Sequence, residues 1–208
     1  MHQIIPGILE KDFLEIEKKL SIIKPFSRWV HIDFLDGKFS SETSFMEFEQ
    51  FKKYKEDFYM EAHLMVDNPT QYIKTLAQVG FRRFLGQIEK VTDLDEFIAE
   101  GQILGEVGIA FDVDTPLEDF KISYDDLDCV LLMSVKAGKS GQEFLPQALK
   151  KTTQLRQKTE IPIEIDGGIN ETTLIGSKRN GANRFVATSA IFNNKDPMQA
   201  YEKLLSLS

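Results

Sequence analysis

The chain has 208 residues, 42% of them hydrophobic, and a formal net charge of −8 from 25 basic and 33 acidic residues. This composition excludes a disordered chain, and the scattered basic residues argue against a broad nucleic-acid-binding surface. Apolar runs fall short of the roughly 18–20 residues of a membrane-spanning helix, and the first residues lack the basic segment of a signal peptide. One cysteine, Cys129, excludes an internal disulfide and is typical of a reducing compartment. We therefore expect a soluble cytoplasmic protein that binds neither nucleic acid nor membrane.

Short apolar segments rich in β-branched and aromatic residues alternate with longer amphipathic segments. The first class predicts strands at 4–8, 29–34, 59–65, 83–87, 107–111, 129–135, 161–165 and 184–187. The second predicts helices at 12–23, 45–54, 70–79, 93–100, 116–122, 146–158, 171–180 and 197–207. Eight strand–helix units predict one α/β domain over residues 1–208, a closed (β/α)8 barrel with a parallel sheet. A doubly wound open sheet is the alternative, because periodicity does not reveal whether a sheet closes.

Metal-binding residue types lie in or directly after three of the predicted strands. His31 and Asp33 are two positions apart and therefore project from the same face of one strand. His63 lies in the next strand, and Asp166 follows the seventh. A single strand histidine is more often a hydrogen-bonded core residue than a ligand, but the carboxyl ends of barrel strands are where active sites lie. Two imidazoles and two carboxylates suit Zn²⁺, Mn²⁺, Fe²⁺ or Co²⁺ better than Mg²⁺ or Ca²⁺, so we expect one divalent ion here.

Loops after the last three strands are candidates for a phosphate site; the first two contain glycines, and the third is Thr-Ser-Ala at 188–190. Their glycines allow backbone N–H groups to approach an anion, and a lysine in the first loop adds positive charge. Each loop taken alone is equally well explained as a turn, but three successive strand–helix junctions favour a common site, in the region where barrels bind phosphate. The predicted phosphate-binding residues are Gly138, Lys139, Ser140, Gly141, Gly167, Gly168, Thr188 and Ser189. Met65 and Met133 are expected to line the pocket as adaptable apolar side chains.

Seven segments together resemble the ribulose-phosphate 3-epimerase family. They are Pro-Gly-Ile-Leu at 6–9, His-Ile-Asp-Phe-Leu-Asp-Gly-Lys-Phe at 31–39, His-Leu-Met-Val-Asp-Asn-Pro at 63–69, Met-Ser-Val through Gly at 133–138, Gly-Gln-Glu-Phe at 141–144, Ile-Asp-Gly-Gly-Ile at 165–169 and Ser-Ala-Ile-Phe at 189–192. Each segment is a weak signal by itself. Their common order over nearly the whole chain makes the resemblance specific.

The resemblance implies a TIM barrel of the ribulose-phosphate-binding type that interconverts D-ribulose 5-phosphate and D-xylulose 5-phosphate. It implies a divalent ion (zinc, iron, manganese or cobalt) and a homo-oligomer, either a dimer or a hexamer. By position, the metal ligands are His31, Asp33, His63 and Asp166. Asp33 and Asp166 are also implied as the catalytic acid and base. The expected class is an isomerase of carbohydrate metabolism in the pentose phosphate pathway.

The chain departs from the family pattern at substrate contacts rather than at the metal and acid/base positions. Gly7 is a predicted substrate-binding position that stands where the family commonly has a serine that contacts substrate, and Lys139 and Ser140 replace a Phe-Gly pair. The remaining departures are Leu35 for methionine, Gln87 for histidine and Thr188 for glycine. Extra room at Gly7 and the altered phosphate loops leave a second hypothesis open, a 3-epimerase of a hexulose 6-phosphate such as D-allulose 6-phosphate. A third hypothesis is a barrel that binds sugar phosphates without turnover.

Overall fold

The computed structural model describes residues 2–119, 121, 123–138 and 141–208, and within them eight parallel strands form a closed barrel. Each strand pairs with the next along the chain, and the eighth pairs with the first in the register Gln3 to Arg184. Closure confirms the predicted (β/α)8 barrel and rules out the open sheet. The strands are β1 Gln3–Ile8, β2 Trp29–Leu35, β3 Tyr59–Met65, β4 Phe81–Gln87, β5 Glu106–Phe111, β6 Cys129–Met133, β7 Ile163–Asp166 and β8 Arg184–Ala187.

Helices follow most strands and pack on the outside of the barrel. They are α1 Phe13–Ile23, α2 Thr70–Gln78, α3 Leu94–Leu104, α4 Gln147–Arg156, α5 Glu171–Arg179, α6 Ser189–Phe192 and α7 Pro197–Leu207. Asn170 and Asp196 cap the amino-terminal ends of α5 and α7, because both side chains accept hydrogen bonds from the backbone of the first helical turn. Among the described residues, no helix has the length and apolarity needed to cross a bilayer.

Two segments that were predicted as α-helices contain 3-10 helices instead. The segment predicted as a helix at 45–54 contains a 3-10 helix, Phe48–Tyr54. Its aromatic residues recur at every third position, at 45, 48, 51 and 54, a spacing that suits three residues per turn better than 3.6. The helix predicted at 116–122 is a short 3-10 turn, Leu117–Asp119, and Phe120 and Ile122 lie outside the described residues. We expected neither the short helix α6 nor its position directly after β8.

The barrel interior differs from the layer between strands and helices. The outer layer is a continuous apolar core, whereas inside the barrel an apolar cluster covers one side: Leu85, Ala110, Cys129, Leu131, Met133 and Val135. The other side carries buried polar residues at alternate positions of β2, β3, β4 and β7: His31, Asp33, Glu61, His63, Arg83, Gln87, Glu164 and Asp166. Cys129 is fully buried, and burial raises the pKa of its thiol to about 12, as expected for an unreactive cysteine.

Replacing Phe51 is expected to test the outer core. Its ring is fully buried and lies 5.3 Å from the rings of both Phe13 and Phe81, measured between centroids. We expect Phe51→Ala to lower the free energy of unfolding by about 3–5 kcal/mol, because the lost burial is compounded by a cavity. Urea denaturation measures this change. Ile103→Ala, at a side chain 81% exposed, is the control and should stay within about 0.5 kcal/mol; equal losses would contradict the packing described.

Candidate active site

The structure brings the four residues predicted as metal ligands together inside the carboxyl end of the barrel. His31 and Asp33 project from β2, His63 from β3 and Asp166 from the end of β7. One nitrogen or carboxylate oxygen from each lies within 4.8 Å of those of the other three. Both histidines are fully buried, and each carboxylate residue is 8% exposed. The strand pairing produces this proximity directly, because Asp33 is in register with His63.

Asp33 lies between the two imidazoles. Its Oδ1 is 3.2 Å from Nε2 of His31 and 2.8 Å from Nδ1 of His63. Burial acts to raise the pKa of Asp33, but the two histidines outweigh it and hold the pKa of this carboxyl well below its usual range. Burial and the neighbouring Asp33 carboxylate raise the pKa of Asp166 to about 6. The two carboxylates thus differ in proton affinity, an arrangement that suits one base and one acid.

The far nitrogen of each imidazole has a hydrogen-bond partner that the sequence did not identify. Nδ1 of His31 lies 2.6 Å from Oε1 of Glu61, and Nε2 of His63 lies 2.9 Å from Oε1 of Gln87. When each far nitrogen donates to its oxygen, the near nitrogen presents a lone pair to the centre of the cluster. Alternation along β3 does place Glu61 on the face of His63, but no sequence signal relates Glu61 to His31 on another strand.

The charges inside the barrel fit a divalent cation. Arg83 forms ion pairs with Glu61 and, at 3.8 Å, with Glu164, whereas Asp33 and Asp166 lie beside imidazoles. Buried carboxylates at this density are costly unless a cation compensates them. The donor set of two imidazole nitrogens and two carboxylates is typical of sites for zinc, manganese, iron or cobalt. The residues present therefore match the metal that the family resemblance implies.

A cavity of about 230 Å³ opens above these carboxylates. Asp33 and Asp166 lie at its floor, and Met65 and Met133 line it, as do six of the residues predicted to bind phosphate or the rest of the substrate: Gly138, Gly141, Gly167, Gly168, Thr188 and Ser189. Lys139 and Ser140 lie outside the described residues. Gly168 has a φ of +61°, and a Cβ there would lie 2.8 Å from the backbone nitrogen of Phe144. A side chain at this position would therefore collide with Phe144, so the loop requires glycine here.

Gly7 does not enlarge the cavity, so the expectation of extra room there was wrong. A Cβ at Gly7 would lie 2.6 Å from Oγ1 of Thr188 and 2.7 Å from Cγ1 of Val186. These two branched side chains on and after β8 already fill the space, and both line the cavity, whereas Gly7 itself is absent from its described lining. The glycine at 7 and the threonine at 188 are therefore complementary in volume.

Gly7→Ser tests this complementarity. We expect it to lower the free energy of unfolding by about 1–3 kcal/mol, because the new side chain overlaps Thr188 and Val186. Thr188→Gly in the same chain removes the closest overlap, so the double variant should be more stable than the sum of the single changes by about 0.5–3 kcal/mol. Urea denaturation of the four proteins gives this coupling. Additive effects would mean that the two positions do not share the space.

An ion pair that the sequence did not identify lies at the rim of the cavity. Nζ of Lys19 is 2.6 Å from Oε1 of Glu10 and 4.9 Å from the centroid of the Phe192 ring. All three residues line the cavity beside Ser189. In the sequence, Lys19 is one of several charged residues on an amphipathic helix, and nothing in the pattern separates it from its solvent-exposed neighbours. The fold brings its ammonium group to the loops that are candidates for phosphate binding.

Comparisons with known proteins agree with the sequence resemblance. The profile of the Ribulose-phosphate 3 epimerase family matches residues 3–192. A curated ribulose-phosphate 3-epimerase from Schizosaccharomyces pombe is 32% identical, over 97% of this chain and 92% of that protein. The cytoplasmic isoform from Oryza sativa subsp. japonica is 30% identical, over 97% of this chain and 92% of its own length.

Similarity of fold extends to more distant barrels. A mutant tryptophan synthase alpha-subunit from Pyrococcus furiosus superposes with a TM-score of 0.70 at 15% identity, covering 100% of this chain and 97% of that one. That likeness concerns the fold alone. The family profile and the curated relatives carry the assignment, and they confirm what the seven sequence segments indicated. The chain belongs to the ribulose-phosphate 3-epimerase family, whose members are carbohydrate epimerases.

Proposed function

We propose that the chain is a metal-dependent epimerase that interconverts D-ribulose 5-phosphate and D-xylulose 5-phosphate by inverting C3. The observation that carries the proposal is a pair of buried carboxylates, Asp33 and Asp166, at the floor of a cavity. Their proton affinities are shifted in opposite directions. Curated relatives matching 97% of the chain bear the name of this activity.

The reaction requires two proton-transferring groups. To invert a carbon next to a carbonyl, the enzyme removes its proton from one face and returns a proton to the other. Asp33 reaches the cavity from β2 and Asp166 from β7, so the carboxylates approach from different parts of the barrel wall. One starts ionised and the other protonated, and the two exchange roles in the reverse direction. The rate gain expected of such a group is about 10²–10⁴-fold.

Four residues would hold the ion: His31, Asp33, His63 and Asp166. A bound divalent ion supplies positive charge that stabilises the negative oxygens of an enediolate. Asp33 and Asp166 serve both as ligands and as proton carriers, so their titrations belong to the pair. Met65 and Met133 line the cavity and limit the access of water to the reacting carbon.

The phosphate group would bind at the loops after β6, β7 and β8. Gly167 and Gly168 have φ values of +110° and +61° and follow β7 directly, next to Asp166. Ser189 begins the segment after β8, and Lys19 lies at the same rim. We retain Lys139 and Ser140 as phosphate contacts on the sequence pattern. Because phosphate is remote from the reacting carbon, its binding fixes the position of the sugar relative to the two carboxylates.

A five-carbon substrate is better supported than a six-carbon one. Thr188 and Val186 fill the space beside Gly7 in which a longer sugar was expected to fit. Comparison of kcat/KM for D-ribulose 5-phosphate and D-allulose 6-phosphate decides between them. We expect the five-carbon substrate to be preferred; a higher value for the six-carbon substrate would replace our assignment. A barrel without turnover would leave C3 of both compounds unexchanged in deuterated water.

We also infer a cytoplasmic location and a homo-oligomeric state. The rice relative is named as a cytoplasmic isoform. The single cysteine of this chain cannot form an internal disulfide, which is typical of proteins in a reducing compartment. The oligomer rests on the family resemblance alone. Light scattering of the purified protein measures it directly.

A further inference from the structure

We propose that Glu61 and Arg83 are positioning residues that orient the His31 imidazole for metal binding. The inference rests on the proposed metal-dependent function and concerns residues that do not touch substrate. Neither Glu61 nor Arg83 is among the described residues that line the cavity. Both are fully buried inside the barrel, on the amino-terminal side of the predicted ligands.

Glu61 connects the metal cluster to Arg83 through its two oxygens. Oε1 lies 2.6 Å from Nδ1 of His31, and Oε2 lies 2.5 Å from Nη1 of Arg83. A carboxylate only accepts hydrogen bonds, so Nδ1 of His31 carries a proton that it donates to Glu61. Nε2 lies 3.2 Å from Oδ1 of Asp33 and is the nitrogen that would exchange this contact for a metal ion, to which it would present a lone pair.

Arg83 is itself held in place by contacts from several strands. Its Nε and Nη2 both lie 2.7 Å from Oε2 of Glu106. Its guanidinium carbon lies 4.7 Å from the centroid of the Trp29 ring and 5.7 Å from that of Tyr59. Ion pairs and cation–π contacts therefore fix the guanidinium, which in turn fixes Oε2 of Glu61.

The glutamate at 164 explains why an anchored Glu61 is needed. Oε1 of Glu164 lies 3.5 Å from the same Nδ1 of His31, and Oε2 of Glu164 lies 3.8 Å from Nη1 of Arg83. Nδ1 of His31 thus lies near two carboxylates, Glu61 and Glu164, that compete for its proton. The short contact with Glu61, fixed by Arg83, selects a single ring orientation. A looser glutamate would leave the ring free to turn toward Glu164.

Glu61→Gln tests the inference without changing the size of the side chain. Arg83 has only donors, so the amide oxygen must face Arg83 and the amide NH₂ must face Nδ1 of His31. When a metal ion occupies Nε2, the Nδ1–H group therefore faces the amide NH₂ of the glutamine, and the two donors cannot form a hydrogen bond. We expect the Zn²⁺ dissociation constant, measured by competition with a chelating dye, to rise about 10–100-fold. Glu160→Gln, at a side chain 98% exposed, should change it less than twofold.

A spectroscopic signature separates orientation from general loss of structure. In the zinc-bound wild-type protein, proton NMR should show a low-field Nδ1–H resonance of His31, and this resonance should disappear in Glu61→Gln. Adding Arg83→Met to Glu61→Gln frees the amide to turn its oxygen toward His31, so zinc affinity should recover at least threefold. If the double variant does not fold, the spectrum and affinity of Glu61→Gln decide alone.

The outcomes distinguish this inference from the proposed function. A Glu61→Gln protein that binds Zn²⁺ as tightly as wild type and keeps the low-field resonance would overturn the positioning role alone. A wild-type protein that binds no divalent ion at these residues would overturn the metal-dependent function as well. Neither readout requires turnover of a sugar phosphate.

Discussion

Asp166→Asn is expected to lower kcat for D-ribulose 5-phosphate by at least about 10³-fold, within the range attributed to general acid–base groups. The amide has nearly the same shape as the carboxylate but cannot carry the transferred proton. It also weakens the proposed metal site. Deuterium incorporation at C3 in deuterated water, measured by proton NMR, should fall in parallel with turnover.

The folded state of this variant should be retained. The backbone oxygen of Asp166 accepts hydrogen bonds from the backbone nitrogen and the hydroxyl of Ser134, at 2.7 and 2.8 Å, and these contacts do not involve the carboxylate. Circular dichroism verifies the barrel. Asp95→Asn, on the exposed face of α3, controls for the loss of one charge and should keep full activity. Wild-type turnover by the Asp166 variant would refute the acid/base role.

Removing the phosphate from the substrate is expected to have a comparable effect. D-ribulose should react with a kcat/KM at least about 10³-fold lower than D-ribulose 5-phosphate, because about three charge-assisted hydrogen bonds of 1.5 kcal/mol or more are lost. Gly167, Gly168 and Ser189 line this end of the cavity, and in the proposed function backbone N–H groups of their loops would donate these bonds. Steady-state kinetics with both compounds measures the ratio.

Inorganic phosphate provides the matching control for this prediction. It should inhibit turnover competitively, whereas chloride at the same ionic strength should have a much smaller effect. Addition of phosphite to reactions with D-ribulose should restore part of the rate, because the anion occupies the same loops. Equal kcat/KM values for the two compounds would mean that these loops are turns and not a binding site.

The strands and their carboxyl-end residues could be predicted from the sequence because both depend on local pattern. Alternation places His31 and Asp33 on one face of a strand, pairing of β2 with β3 brings His63 beside Asp33, and closure of the barrel brings Asp166 to the same place. The order of the seven family-like segments along the chain supported the same assignment. The 3-10 helix at Phe48–Tyr54 was missed because an amphipathic segment with repeated aromatics was interpreted with the period of an α-helix.

Contacts between strands could not be predicted, because they depend on register and side-chain length. The pairing of Glu61 with His31, and of Arg83 with Glu61, joins three strands through long side chains. The fit between Gly7 and Thr188 depends on distances of a few ångströms between β1 and the end of β8. The sequence showed that positions 7 and 188 both depart from the family pattern. It did not show that the absence of a side chain at 7 makes room for the larger side chain at 188.

The central claim is that one divalent ion, held by His31, Asp33, His63 and Asp166, supports proton transfer at C3. The most direct test is turnover of D-ribulose 5-phosphate and elemental analysis on the same purified preparation, before and after chelation and after titration with Zn²⁺, Mn²⁺, Fe²⁺ or Co²⁺. We predict that activity rises in proportion to bound metal and saturates at one ion per chain. Full turnover by protein shown to contain no metal would contradict the account.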